Sequence, residues 1–451
     1  MPESMPSRRH FLSVPLIGTA TGGGAFLPTA VAALKGKARA VVLPTHEHFG
    51  DIEERIDLPA SWDVQLVKMP GHDAPALSLH EIRRRIQAPI GTLPLREIAA
   101  GKRTAIITFD DLSRPTPPFE VMPLVVEELK AAGLADENIV FMGAVGAHRT
   151  LEQPDVVCKL GRQLARLYVW LNHNAFDGVQ DVGRTSLGNR VWINRNFLAA
   201  DVHIVVGGIK IHNIAGYGGG AKSVLPGVAG FDTIRYNHRV LADHNKTALP
   251  GRIFHNDVRQ DMEEGARLAR VDFSVQLVIN GRRKVCGVFA GDVIESHRAA
   301  CRTANRNYRT TVVKNADVVI ANGFPQTSQG TKGMPWIQES VRDGGTGVLI
   351  LQCPEGIHAW HYLLQPGYPA GKSYWDTVAR RPSTPAAQRF QLIVYSQYLA
   401  RKNREEFPAG TIFADTWEEV VRQLTVRHKG DARVAVYPAT GLQHHEIELD
   451  G

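Results

Sequence analysis

The chain has 451 residues, with 52 Lys and Arg against 45 Asp and Glu, a formal surplus of +7. Hydrophobic residues make up 43% and charged residues 22%, which excludes a disordered or collagen-like chain and leaves room for two or three domains with real cores. Cys158, Cys286, Cys301 and Cys353 are too few and too far apart for a disulfide scaffold or a Cys-rich zinc site.

The chain opens on Ser7-Arg8-Arg9-His10-Phe11-Leu12, followed by a mildly apolar stretch broken by Pro15 and Pro28, then small residues at Ala30-Val31-Ala32. Paired arginines, a weak hydrophobic region and small residues, in that order, fit a twin-arginine export signal. The stretch is too interrupted to read as a membrane span, which needs ~20 mostly apolar residues. Residues 1–40 are therefore expected to be an export signal read by the twin-arginine export machinery, and the mature protein is expected to be periplasmic. Their removal takes five cations and one acid, which leaves +3.

Beyond the leader, short β-rich runs alternate with helical patterns. VVLP (41–44), TAIITFDD (104–111) and IVFMGAVGAH (139–148) read as strands; residues 119–133 and 153–167 carry helical spacing. DVHIVVGGIKIH (201–212), KNADVVIANG (314–323) and GGTGVLILQCPEG (344–356) read as further strands. This alternation implies an α/β fold: two α/β domains with largely parallel sheets around an interdomain cleft, residues 41–303 catalytic and 304–451 closing over them. Ligands of such sheets bind beyond the carboxyl ends of the strands. Asp110, Asp111, His148, His212 and Gln326 all fall there.

The densest chemical cluster is Gly216-Tyr217-Gly218-Gly219-Gly220-Ala221-Lys222-Ser223. It departs from a nucleotide-triphosphatase loop, because Ala221 stands where that pattern has glycine and Pro226 soon breaks any following helix. A lysine in so crowded a glycine loop points instead to a side chain that meets a bound group; the alternative is a glycine turn with a solvated lysine. Asp111 and Arg114 stand three residues apart in a loop held by Pro115 and Pro117, and Arg offers a planar fork for a carboxylate or phosphate.

DLSRPTP (111–117), GAHR (146–149), HNIAGYGGGAKSVLPG (212–227), Asn237-His238, and Gln329 with Lys332 together resemble the lactate racemase family, the nickel-pincer-nucleotide racemases and epimerases of 2-hydroxy acids. The resemblance implies a nickel-pincer nucleotide carried covalently on Lys222, with Gly218, Gly219, Gly220 and Gln329 lining it and His238 completing the nickel. It implies His148 and His212 as the acid/base pair, Asp111 as the carboxylate that orients one of those imidazoles or a substrate hydroxyl, and Arg114 and Lys332 as holders of the substrate carboxylate or the cofactor phosphate. Enzymes that synthesise the cofactor become expected partners. Ser328 stands where lactate-specific members typically have tyrosine, which leads us to expect a bulkier or more hydroxylated acid than lactate.

The chemistry of the residues agrees with the resemblance. The C2 hydrogen of a 2-hydroxy acid is barely acidic, so hydride removal coupled to loss of the hydroxyl proton is the easier route. It needs a base, a cation for the carboxylate and an electrophilic sink. Two other readings stay open on the sequence: a metal-dependent hydrolase built on His46 and His48, and an exported solute-binding protein. Basic residues do not cluster with interleaved aromatics, so no nucleic-acid partner is expected.

Overall fold

A computed structural model describes residues 38–244, 246–358, 389–447 and 449. The twin-arginine motif lies outside the described residues.

In chain order the strands are β1 (Arg39–Thr45), β2 (Ile52–Leu58), β3 (Asp63–Leu66), β4 (Ala105–Phe109), β5 (Ile139–Gly143), β6 (Val169–Asn172), β7 (Val179–Arg184), β8 (Arg190–Asn194) and β9 (Val202–Gly208). They continue as β10 (Ile211–His212), β11 (Gly216–Tyr217), β12 (Phe273–Ile279), β13 (Val285–Gly291), β14 (Ala316–Asn322), β15 (Val341–Ile350), β16 (Gln391–Tyr395), β17 (Ile412–Ala414) and β18 (Arg433–Tyr437). Two six-stranded sheets dominate, ordered β13-β12-β9-β4-β5-β6 and β17-β16-β15-β14-β18-β3. The first is parallel except for β13, and the second is parallel throughout.

Both sheets are covered on two faces, as their near-continuous apolar strands require. Along β4, Ile107 and Phe109 pack into one layer with Phe141, Val206 and Leu277, while Ile106 packs into the opposite layer with Met142 and Val205. The second sheet repeats this, with Val318 and Ile320 on one side and Val319 and Ala321 on the other. Crossover helices carry their own end signals. Helix Gln153–Leu167 begins with a reciprocal Glu152–Asp155 cap, and helix Trp417–Arg427 begins with Thr416 accepting from the Glu419 amide.

The second sheet draws on more of the chain than a division at 303/304 provides. β3 pairs with β18, and the β1–β2 hairpin packs Leu43, Ile56 and Leu58 against Val318, Ile320 and Val434. Trp62 Nε1 donates to the Gly430 carbonyl and Trp417 Nε1 to the Asp57 carbonyl, both at 3.0 Å. Residues 39–66 thus belong with the second sheet, and the chain crosses to the first sheet only afterwards. VVLP is a strand as expected, but an antiparallel one outside both large sheets. No helix among the described residues is long and apolar enough to cross a membrane.

Strand order reverses at β4 in the first sheet, with β5 on one side and β9 on the other, and at β14 in the second, between β15 and β18. Such switch points open a crevice beyond the strand ends. The segments leaving β4, β5 and β9 meet the segment leaving β14 in one cavity.

Candidate active site

That cavity has a volume of about 460 Å³. Asp110, Asp111 and Arg114 reach it from the end of β4, His148 from the end of β5, and Lys210 and His212 from the end of β9. Lys222 and His238 line it from the glycine loop and the helix after it, and Gln329 and Lys332 from the second domain.

The loop after β4 is held by its backbone oxygens. Lys159, fully buried on helix Gln153–Leu167, donates to Asp110 Oδ1 at 2.8 Å, to the Arg114 carbonyl at 2.7 Å and to the Thr116 carbonyl at 3.0 Å. His48 Nε2 donates to the Arg114 carbonyl at 3.1 Å, Arg283 Nε to the Pro115 carbonyl at 2.9 Å, and Gln326 Nε2 to the Ser113 carbonyl at 2.7 Å. Four consecutive carbonyls, from residue 113 to residue 116, therefore each meet a side chain from elsewhere. Unpaired buried carbonyls are costly, so this network fixes the loop in one shape.

Fixing the loop fixes Asp111. Its Oδ1 accepts from the Ser113 amide at 3.0 Å and the Ser113 hydroxyl at 2.5 Å, and its Oδ2 accepts from His148 Nδ1 at 2.6 Å. Burial alone favours the protonated acid, but the charge and hydrogen bond of His148, then Arg114 and Ser113, outweigh it and hold the carboxyl well below the usual carboxylate range. An ionised Asp111 can only accept, so Nδ1 of His148 carries a hydrogen, which leaves Nε2 as the nitrogen that can take or give a proton.

His212 is set the other way. Its Nδ1 faces the amides of Ile214 at 3.4 Å and Ala215 at 3.3 Å and accepts from them, so the neutral ring carries its hydrogen on Nε2. Burial, followed by the charges of Lys222, Arg114, His238 and Lys332, pulls this imidazole well below the usual histidine range. The two imidazoles thus enter the cavity as different tautomers, one a base and the other a hydrogen-bond donor.

Lys222 sits in a short 3-10 turn, Gly220–Ser223, whose approach is shaped by Arg259. Arg259 is almost fully buried and donates to the carbonyls of Ala215, Tyr217 and Gly219, while Gln276 Oε1 accepts from the Gly220 amide at 2.7 Å. Gly219 and Gly220 have φ of +73° and +59°, and a Cβ at Gly220 would lie 2.8 Å from the His297 ring. Of the three glycines expected against a nucleotide, only Gly219 lines the cavity. Gly218 packs against the carbonyls of Gly208 and Lys210, and Gly220 against His297, so those two serve the packing of the loop on the protein itself. The Lys222 amine is depressed well below the usual lysine range by burial first, then by Arg114 and Arg259.

His238 lies in a π-helical turn, Tyr236–Leu241, a local widening frequent at functional sites. The turn is anchored by buried Asn237, whose amide donates to the Val258 carbonyl at 3.1 Å and to Asp261 Oδ2 at 2.7 Å. Nδ1 of His238 is buried and has no hydrogen-bond partner among the described residues. Burial, then Lys222 and His148, keep the ring neutral. Among the described residues no three His, Cys, Asp or Glu side chains converge to hold a metal ion on their own.

His46 and His48 do not form a hydrolase site. His46 contacts Thr45 Oγ1 and the Tyr398 hydroxyl, each at 2.9 Å, and His48 is used up between the Arg114 carbonyl and Arg283. Neither lines the cavity. Ser328 is buried and also stays out of the cavity wall, so the expectation of a bulkier acid loses its footing. Lys210 and Lys159 were not among the expected site residues, and Gln326 was expected at a strand end without a role. A signal existed for Lys159, which occupies the apolar face of its helix with Val156 and Leu160.

A family model described as the lactate racemase N-terminal domain matches residues 49–249. A lactate racemase from Thermoanaerobacterium thermosaccharolyticum is 27% identical over 356 residues, 77% of this chain and 77% of that protein. One from Lactiplantibacillus plantarum is 29% identical over 282 residues, 61% of this chain and 66% of that protein. Among solved structures, the lactate racemase apoprotein from T. thermosaccharolyticum covers 90% of this chain and 99% of its own, with a TM-score of 0.64 at 24% identity. A protein from Thermotoga maritima covers 86% and 100%, with a TM-score of 0.59 at 16% identity. At these identities the two structures speak for the fold.

The carbonyl network makes a stability prediction. Lys159→Met removes the charge partner of Asp110 and the donor to two carbonyls, and should cost on the order of 3 kcal/mol in a denaturant titration. A loss under 0.5 kcal/mol would show that the loop does not depend on Lys159.

Proposed function

We propose that the chain is a member of the lactate racemase family and interconverts the enantiomers or C2 epimers of a small, lactate-like 2-hydroxy acid. The observation that carries this reading is the pairing of two imidazoles of opposite tautomer with a buried lysine in one cavity.

The cavity suits a nickel-pincer nucleotide on three counts. Lys222 offers a buried amine whose depressed pKa favours the uncharged, nucleophilic form that covalent attachment needs. His238 offers an unpartnered neutral nitrogen, and imidazole suits nickel. Cationic side chains are also in excess: Asp110 is taken by Lys159 and Asp111 by His148, while Arg114, Lys210 and Lys332 face the same space. Anionic groups, a phosphate and a carboxylate, would balance them.

When bound, the cofactor supplies the acceptor that takes a hydride from C2 and returns it. In our reading the chain does the rest. Arg114 and Lys332 grip the substrate carboxylate from opposite domains. Nε2 of His148 accepts the hydroxyl proton as the C2 hydrogen departs, and Asp111 steadies the imidazolium that forms. The 2-oxo acid then turns within the cavity. As the hydride returns to the other face, the oxygen takes up one proton and the His148 imidazolium gives one up, restoring the starting state, while Nε2–H of His212 donates a hydrogen bond to that oxygen. For His212 to take a hydroxyl proton in its turn, its ring must move its hydrogen to Nδ1 and release the Ile214 and Ala215 amides. Both contacts are long, so this costs little.

The reading is tested with protein made alongside the cofactor-synthesis enzymes and offered lactate and other small 2-hydroxy acids. Loss of optical purity should accompany a mass increase on the peptide containing Lys222, and Lys222→Ala should abolish both. Racemisation that survives Lys222→Ala would exclude a tether there.

Lys332 sets a pH limit. Burial, then the charge of Arg114, lowers its ammonium to about 8, so the free enzyme loses this cation as pH rises through that value. The account therefore expects kcat/KM to fall above about pH 8, and Lys332→Met, lower in activity throughout, to lack that limb. An unchanged alkaline limb in the variant would assign it to another group.

From Arg8 and Arg9 we also propose export in folded form. Arg8→Lys with Arg9→Lys should leave the protein in the cytoplasmic fraction, and continued export would refute the signal.

A further inference from the structure

We propose that Gln326, carried by the second domain, is a positioning residue that transmits the seating of that domain to the His148–Asp111 pair. The inference rests on the proposed role of His148 as a base, and adds to it a residue that touches neither substrate nor cofactor in that scheme.

Gln326 leaves the end of β14, the switch strand of the second sheet, and is almost fully buried. Its backbone is fixed from its own domain. Its amide donates to the Gly323 carbonyl at 3.0 Å, and the amide and hydroxyl of neighbouring Thr327 both donate to buried Glu47 at 2.5 Å. Its side chain belongs to the other domain. Oε1 accepts from Lys210 at the end of β9, and Nε2 donates to the Ser113 carbonyl at 2.7 Å. Ser113 in turn gives both its amide and its hydroxyl to Asp111 Oδ1, and Asp111 Oδ2 holds His148 Nδ1. A single line of hydrogen bonds therefore runs Lys210, Gln326, Ser113, Asp111, His148, and its second link is the only one supplied by the second domain.

The chemistry of the amide suits this place. Lys210 can only donate and the Ser113 carbonyl can only accept, so a group between them must accept on one side and donate on the other. Glutamine does both. Glutamate would satisfy Lys210 but set a carboxylate oxygen against the Ser113 carbonyl. Leucine would satisfy neither. Lys210 has reason to need this partner: it is buried beside Lys332, Arg114 and Lys222, and burial first, then those charges, pull its ammonium well below the usual lysine range. The other three carbonyls of the loop each keep a donor from the first domain, Lys159 on those of Arg114 and Thr116 and Arg283 on that of Pro115, even though His48, which also meets the Arg114 carbonyl, belongs with the second sheet. With the second domain displaced, the Ser113 carbonyl loses its donor, and Ser113 is the residue that orients the far oxygen of Asp111.

The test compares full-length holoenzyme with Gln326→Glu and Gln326→Leu, measuring nickel content, kcat, KM and the ¹⁵N shifts of the His148 ring, assigned by their loss in His148→Gln. Gln326→Glu keeps the contact to Lys210 and reverses the one to Ser113, so it separates a latch on Lys210 from a line through Ser113. We expect both variants to load nickel as wild type does and to keep KM within about twofold. Their kcat should fall about 10- to 100-fold, and the His148 ring should lose its fixed Nδ1–H tautomer. Full activity and an unchanged ring in Gln326→Glu would overturn the proposal, and so would a loss of kcat that merely follows a loss of nickel. If the wild-type enzyme racemises no 2-hydroxy acid, the functional reading fails, and the ring shifts still decide whether Gln326 acts on His148.

Discussion

The burial of cations without spare carboxylates governs this site. Arg114, Lys210, Lys222 and Lys332 converge on one cavity, and the two aspartates there are already engaged, Asp110 by Lys159 and Asp111 by His148. Charge in a poorly solvated space is expensive unless paired, and the depressed ammonium groups of Lys210, Lys222 and Lys332 record that expense. A cavity arranged in this way is complementary to anionic occupants. It also disfavours charge on His212 and His238, and a neutral imidazole is the form that can bind a metal.

Most of the structure around the cavity serves to hold that arrangement. Parallel strands converge at two switch points, one in each sheet, and deliver Asp111, His148, His212 and the Gln326–Lys332 segment to the same space. Loops at strand ends would otherwise be mobile. Here the loop after β4 is held carbonyl by carbonyl, and the glycine loop is held by Arg259 and Gln276. The polar groups that do this holding lie behind those that line the cavity. This is the usual requirement for a site whose geometry must be set before the substrate arrives.

The part of this that could be read from the sequence is the part written in short, contiguous segments. DLSRPTP, GAHR and the run from His212 to Gly227 each fall at a strand end, and the structure brings Asp111, Arg114, His148, His212, Lys222, His238, Gln329 and Lys332 into one cavity. Strand type was legible too, because buried parallel strands leave unbroken apolar runs. Sheet membership was not. β3 joins β18 across some 370 residues, and nothing in the local pattern of either strand names its partner. The supporting side chains were also hidden. Lys159, His48 and Arg283 act on backbone carbonyls, and backbone carbonyls carry no sequence signature. His46 and His48 looked like the start of a metal site because spacing alone does not say which way a ring faces. Gly218 and Gly220 looked like a cofactor cradle, yet their space is taken by neighbouring backbone and His297.

The central claim is that hydride transfer at C2, assisted by these imidazoles, reverses the configuration of a 2-hydroxy acid. The most direct measurement follows one enantiomer in deuterated water with the holoenzyme and reads both optical purity and deuterium at C2. The account predicts that optical purity is lost while the C2 hydrogen is retained, because the hydride leaves and returns without meeting solvent. Deuterium appearing at C2 in step with racemisation would show proton abstraction at that carbon, and would contradict the account.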